Sequence, residues 1–201
     1  MNIIILGGFL GSGKTTALMQ FARYLTTISE KTRKNKVVIL ENEVGEIGID
    51  DQFLKGGGYT VDTLFAGCAC CTVSGELISA LVKIVKEMDP EWIVIETTGI
   101  AYPRAMRENV QQSLDIDSRI IVLTDASRWR RLRIPMDSLL RGQLEGSDAV
   151  LINKTDLVSE EDLEYVEQDI LKIEPNAKIT RISALGEIST DVWSNIAGIN
   201  D

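Results

Sequence analysis

Gly8-Phe9-Leu10-Gly11-Ser12-Gly13-Lys14-Thr15, the stretch GFLGSGKT, follows a short and mostly β-branched run, Asn2 to Leu6 (NIIIL). Beyond it Leu18, Phe21, Ala22 and Leu25 fall at i, i+3, i+4 and i+7. That order predicts a buried strand, a tight loop and an amphipathic helix. The octapeptide matches G-x-x-x-x-G-K-[ST] in the strand-to-helix context that the motif needs. Its glycines let the backbone wrap so that N–H groups point inward at phosphate oxygens, and the helix start adds the positive end of its dipole. Gly8, Gly11, Ser12, Gly13 and Thr16 are candidates for the cradle. Lys14 is the candidate for the β- and γ-phosphates, and Thr15 the candidate Mg²⁺ ligand through its hydroxyl.

Working outward, further β-branched runs stand at Lys36 to Leu40, Trp92 to Ile95, Arg119 to Leu123, Ala149 to Ile152 and Lys178 to Ile182. Helical patterns fall between many of them, at Glu76 to Met88, Pro103 to Leu114, Met136 to Leu144 and Glu160 to Ile173. Continuous apolar strands alternating with helices imply a parallel sheet covered on both faces. The expectation is an α/β, doubly wound, mostly parallel sheet of the P-loop NTPase kind, one domain over residues 1–201. The glycine run Gly56 to Gly58, ahead of Tyr59, reads as a mobile loop or a hairpin.

Composition removes several functions. A formal net charge of −9 argues against nucleic acid as a partner. With no histidine in the chain, hydrolysis through a histidine base or a histidine-bound metal is excluded. The N-terminus lacks a basic segment ahead of its apolar run, and no run is long enough to cross a bilayer. The expected setting is therefore cytoplasmic, with no membrane partner and with thiols reduced. One local exception to the acidic character is SRWRRLRIP, with Arg128, Arg130, Arg131 and Arg133, read as a solvated loop or a docking face for an acidic partner.

The base that such a nucleotide site reads is indicated by Asn153-Lys154-Thr155-Asp156 after the strand AVLI, the N-K-x-D arrangement. Guanine offers two donors, N1–H and its exocyclic amino group, and a buried carboxylate such as Asp156 accepts both, whereas adenine has no such pair. Asn153 would brace the loop, and the Lys154 stem would cover the base. Ser183-Ala184-Leu185 after the last strand matches the loop that closes over guanine. Glu96-Thr97-Thr98-Gly99, directly after WIVI, places Glu96 to hold Mg²⁺ or orient the attacking water, and Gly99 to sense the γ-phosphate.

All three cysteines lie in AGCACCTVSGEL, at Cys68, Cys70 and Cys71. Three thiolates suit Zn²⁺, Co²⁺ or Cu⁺ and leave a fourth position open. A C-x-x-C ahead of a helix starting near Val73 equally fits redox chemistry, and three buried inert thiols fit the spacing too. Taken together, GGFLGSGKTT, ENEVGEIGIDDQ, GCACCT, VIETTG, LINKTDLV and SAL resemble, in order, the CobW/HypB/UreG family of P-loop GTPases. The resemblance implies slow hydrolysis of GTP to GDP and a transition metal, Zn²⁺ or Co²⁺, on the C-x-C-C thiolates. It also implies a switch loop over ENEVGEIGID, with Glu41 and Glu46 as metal partners and Asp50 near the Mg²⁺ or the attacking water. Its implied partners are a client metalloenzyme or cofactor-assembly protein and a GTP-dependent second copy. The alternative is a regulatory GTP-binding module that gates cofactor-enzyme assembly without carrying metal. The histidine-rich stretch and appended C-terminal domain of relatives are not expected here, and Tyr102 stands where relatives have Asp.

Overall fold

Among the described residues seven strands, all paired in parallel, form one sheet in the order β3-β2-β4-β1-β5-β6-β7. The computed structural model describes residues 1–29, 37–43, 60–65 and 73–199. The strands are β1 (Asn2–Gly8), β2 (Val37–Glu43), β3 (Thr60–Phe65), β4 (Trp92–Glu96), β5 (Ser118–Asp125), β6 (Ala149–Asn153) and β7 (Lys178–Arg181). Helices α1 (Lys14–Ile28), α2 (Val73–Met88), α3 (Pro103–Leu114), α4 (Trp129–Arg133), α5 (Asp137–Leu144), α6 (Glu160–Ile173) and α7 (Thr190–Ala197) complete it.

The central strands carry apolar side chains on both faces because both faces are covered. Ile3, Ile5, Ile93 and Ile95 join the core under α2, α3, α5 and α6, while their neighbours Ile4, Leu6 and Val94 join the core under α1 and α7. Burying each such side chain contributes about 1.5–3 kcal/mol. Helix α7 is anchored by Trp193, whose ring stacks on Phe21 of α1 with centroids 5.2 Å apart. No described helix is long and apolar enough to cross a membrane.

The loop leaving β1 runs to α1 on one face, and the loop leaving its neighbour β4 runs to α3 on the other. The C-terminal ends of β1 and β4 therefore open into the crevice where ligands bind in sheets of this kind.

Three differences from the sequence reading stand out. Strand β3 was not anticipated, and it pairs with β2 in parallel, so these two strands are not the arms of one hairpin. Gly56 to Gly58 itself lies outside the described residues. Helix α7 was also unanticipated. Third, the basic run forms a short helix rather than a loop, and Arg130 and Arg133 in it are ion-paired. Arg130 donates to Asp162 at 2.7 Å and lies 4.0 Å from the Tyr165 ring centroid. Arg133 pairs with Asp169 at 2.5 Å and with Asp137, and Asp169 also accepts from Trp129 Nε1 at 3.0 Å. These bonds staple α4 to α5 and α6. Arg131 has no ion pair among the described contacts and stands exposed.

Candidate nucleotide site

Helix α1 starts at Gly13, in the left-handed region with φ 97°, and glycine has no side chain to cap the first turn. A Cβ there would collide with Asn153 Nδ2. Helices α6 and α7 begin instead on Ser159 and Ser189, whose hydroxyls accept from Asp162 N and Val192 N. The first-turn N–H groups of α1 thus face the loop end without an internal acceptor from the cap residue, the arrangement that receives an anion. Gly8 also needs to be glycine, since φ is 138° and a Cβ would strike the Leu123 carbonyl.

Lys14 is buried, 8% exposed, and its ammonium donates to the Gly8 carbonyl at 2.9 Å, folding the side chain back over the loop. Thr15 Oγ1 donates to Glu96 Oε1 at 3.2 Å across the gap between β1 and β4. Glu96 is 6% exposed. A hydroxyl and a carboxylate beside the phosphate loop make the hard oxygen set that Mg²⁺ takes, so these two residues fit the ion. Thr16 stands exposed one position further. Gly99 follows β4 and lies against Leu10, where a Cβ would sit 2.7 Å from the Leu10 nitrogen. Its carbonyl accepts from Gln143 Nε2 at 2.9 Å.

Asn153, at the end of β6, joins three segments. Its Nδ2 donates to the Ser12 carbonyl at 2.8 Å, and its Oδ1 accepts from Ala184 N at 2.8 Å. Lys154, at φ 66°, donates to the Gly11 carbonyl at 2.9 Å and to Asp125 Oδ2 at 2.7 Å. Asp156 accepts from Ser183 Oγ at 2.6 Å. It is exposed rather than buried as anticipated, because it belongs to a short 3₁₀ turn (Thr155–Leu157) projecting beyond the strand end. Ala184 is buried, while Leu185 is 89% exposed. Gly8, Gly11, Ser12, Gly13, Lys14, Thr15, Glu96, Gly99, Asn153, Lys154, Asp156 and Ser183 thus gather at the C-terminal ends of the strands.

Three residues in this region were missed by reading the sequence. Gln20 of α1 donates to the Ala184 and Gly186 carbonyls, both at 2.9 Å, and accepts from Ile188 N at 3.0 Å. Asp125, at the end of β5, accepts from Ser127 Oγ, Arg128 Nε and Lys154 Nζ at 2.6–2.7 Å. Burial pushes its carboxyl up, but the bonds from Lys154, Ser127 and Arg128 together hold it below the ordinary carboxylate value. Arg128 completes the set, donating from Nη2 to the Leu10 carbonyl at 2.6 Å. None carries a recognisable motif. The hint in the sequence was only a carboxylate closing an apolar strand, three residues before an arginine.

Of the other expected site residues, Glu41 contributes its backbone to β2, in register with Glu96. Its side chain, together with Glu46, Asp50, Cys68, Cys70 and Cys71, lies outside the described residues. Among the described residues no group of three or more His, Cys, Asp or Glu side chains converges as a metal site.

A parallel doubly wound sheet with a glycine loop, lysine and uncapped helix start at its crevice defines a P-loop nucleotide-binding domain. Residues 2–181 match the CobW/HypB/UreG nucleotide-binding domain, and the chain belongs to that family. It is 35% identical to the zinc-regulated GTPase metalloprotein activator 1 of Schizosaccharomyces pombe, over 93% of this chain and 47% of that protein. It is 29% identical to the zinc chaperone YjiA of Escherichia coli, over 98% of this chain and 61% of that protein. The chain thus spans roughly half the length of these relatives. The crystal structure of Zn(II)-bound YjiA GTPase from E. coli superposes with a TM-score of 0.67 at 23% identity, over 98% of this chain and 62% of that one. HypB from Helicobacter pylori, in complex with nickel, gives 0.66 at 21% identity, over 99% and 85%.

Proposed function

We propose that this chain is a GTP-hydrolysing metallochaperone, which couples its nucleotide state to holding and handing over a transition metal. The observation that carries the nucleotide half is Asn153, whose single amide ties the phosphate loop at Ser12 to the Ala184 loop. One bond set thereby fixes phosphate and base positions relative to each other. Asp156 accepts the guanine N1–H and amino donors, and Lys14 with the α1 start takes the phosphate charge. Glu96 orients the attacking water and, with Thr15, holds Mg²⁺. When bound, that ion supplies positive charge against the β- and γ-phosphoryl oxygens. Turnover without a partner is slow, on the order of 10⁻⁴ to 10⁻² per second.

The metal half rests on chemistry and kinship. The C-x-C-C thiolates are soft ligands for Zn²⁺ or Co²⁺, and relatives of this chain are named as zinc chaperones. Cys68, Cys70 and Cys71 carry the ion as cargo for a client metalloenzyme or cofactor-assembly protein in the cytoplasm. GTP brings the segment Glu41 to Asp50 toward the γ-phosphate, Glu41 or Glu46 completes the metal shell, and a second copy joins in that state.

A Co²⁺ titration of the reduced protein, with GDP or a non-hydrolysable GTP analogue, tests the coupling. Intense thiolate charge-transfer bands, with an affinity that changes between the two nucleotides, are expected. Bands indifferent to nucleotide would reduce the cysteines to a static site in a regulatory module, and no bands at all would remove the metal from the reading.

A further inference from the structure

We infer that Arg128, held by Asp125, is a positioning residue for the phosphate loop, and that it sets the orientation of the Leu10–Gly11 peptide presented to the nucleotide phosphates. The inference deepens the GTP reading and rests on it for the identity of the nucleotide. Three successive carbonyls of the loop are held from outside by three donors: Leu10 by Arg128 Nη2 at 2.6 Å, Gly11 by Lys154 Nζ at 2.9 Å and Ser12 by Asn153 Nδ2 at 2.8 Å. A trans peptide is planar, with its C=O and N–H on opposite sides. Drawing the Leu10 carbonyl outward therefore turns the Gly11 N–H the other way, into the loop, and drawing the Ser12 carbonyl outward does the same for Gly13. The Ser12 N–H is already engaged, donating to the Phe9 carbonyl at 3.1 Å, so the peptides on either side carry the cradle.

Lys154 and Asn153 belong to the N-K-x-D loop, but Arg128 comes from a different strand end and from no nucleotide motif. Its fork is what the position requires. Nε donates to Asp125 Oδ2 at 2.6 Å while Nη2 reaches Leu10, and the same Oδ2 accepts from Lys154 at 2.7 Å. Asp125 is thus the common anchor of two of the three struts, 5% exposed and pinned further by Ser127 N at 3.0 Å. Arg128 also covers Phe9, with its guanidinium carbon 5.9 Å from the ring centroid. A lysine keeps the charge, but one ammonium cannot reproduce the rigid two-point reach.

The test measures GDP, a non-hydrolysable GTP analogue and bare guanosine against nucleotide-free protein, for the wild type, Arg128→Ala, Arg128→Lys and Asp125→Asn. Arg128→Ala is expected to weaken both phosphorylated ligands by about 10- to 100-fold, the effect of losing one charge-assisted hydrogen bond, and to leave guanosine within about twofold. Arg128→Lys stays weakened, which separates geometry from charge. Unchanged affinity for GDP and the analogue in Arg128→Ala overturns the inference. Equal weakening of GDP and guanosine, or full recovery in Arg128→Lys, overturns it as well. Should Arg128→Ala fail to fold by circular dichroism, Arg128→Lys carries the same comparison, while Asp125→Asn, which loosens Lys154 as well, is expected to weaken the phosphorylated ligands at least as much as Arg128→Lys. The readout is a ratio between phosphorylated and bare nucleoside, so ADP and adenosine serve equally if guanine preference proves absent. Failure of the base assignment is thereby kept apart from failure of the strut.

Discussion

Helices α1 and α6 start in opposite ways. Helix α6 opens on Ser159, whose hydroxyl accepts from Asp162 N, and Glu160, Glu161 and Asp162 follow in its first turn, placing negative charge at the positive end of its dipole. Helix α1 opens on Gly13 with no side-chain cap, and its first turn holds Lys14 and no acidic residue. One beginning is satisfied from within the chain. The other has a lysine and no side-chain cap at its positive end, an arrangement unfavourable for the isolated helix and favourable for a bound anion. A helix start designed for stability and one designed for binding can thus be told apart from the cap residue and the sign of the first turn.

The largest test of that contrast acts on the base side of the α1 site. Asp156→Asn should weaken GDP binding by about 10²- to 10⁴-fold and move preference toward xanthine nucleotides, since two hydrogen bonds to a carboxylate are lost; nucleotide titration would reveal it. Unchanged GDP affinity in that variant ends the guanine assignment. Next, Gly13→Ala should weaken GDP by roughly 10- to 100-fold, because a strained left-handed residue costs about 1–3 kcal/mol and its Cβ displaces Asn153. Ser159→Ala sharpens the other side of the comparison. It should destabilise the fold by about 1 kcal/mol in denaturant melts and leave nucleotide affinity as it was.

The smallest effect is in acid. Asp125 titrates lower in the folded chain than its ordinary value of 3.8, so its contribution to stability is present above that value. As pH falls below 3.8 the unfolded chain binds the proton first, and the contribution is lost down through the folded value. Melting temperature in that window should fall more steeply for the wild type than for Asp125→Asn. Equal slopes would mean that the bonds from Lys154, Ser127 and Arg128 do not hold the carboxyl down.

How much of this could be read in advance varied with the source of each signal. Strands β1, β4, β5 and β6 are buried on both faces, so their apolar runs are continuous and legible. Strand β3, TVDTLF, carries Asp62 in its middle and, among the described strands, pairs with β2 alone, so its pattern was too weak to separate from a loop. Helix α7 is eight residues long, and its anchor is a stack on Phe21, a partner that periodicity cannot supply. In the site, residues inside G-x-x-x-x-G-K-T and N-K-x-D were visible because their spacing is local. Asp125, Arg128 and Gln20 were not, because each acts on a loop brought near by the sheet order. The basic run misled for the same reason, since the carboxylates that neutralise Arg130 and Arg133 are mostly supplied by α6.

The Gln20 clamp has a consequence for the order in which the protein is made. Its three partners lie at residues 184, 186 and 188, more than 160 positions downstream. During synthesis the phosphate loop and its helix emerge early, but the wall that Gln20 holds cannot form until more than 160 further residues have been added. Contacts of such long separation form late. On the nucleotide reading, the struts of the phosphate loop at residues 128, 153 and 154 are therefore in place before the wall beside the base, which closes only with β7 and α7.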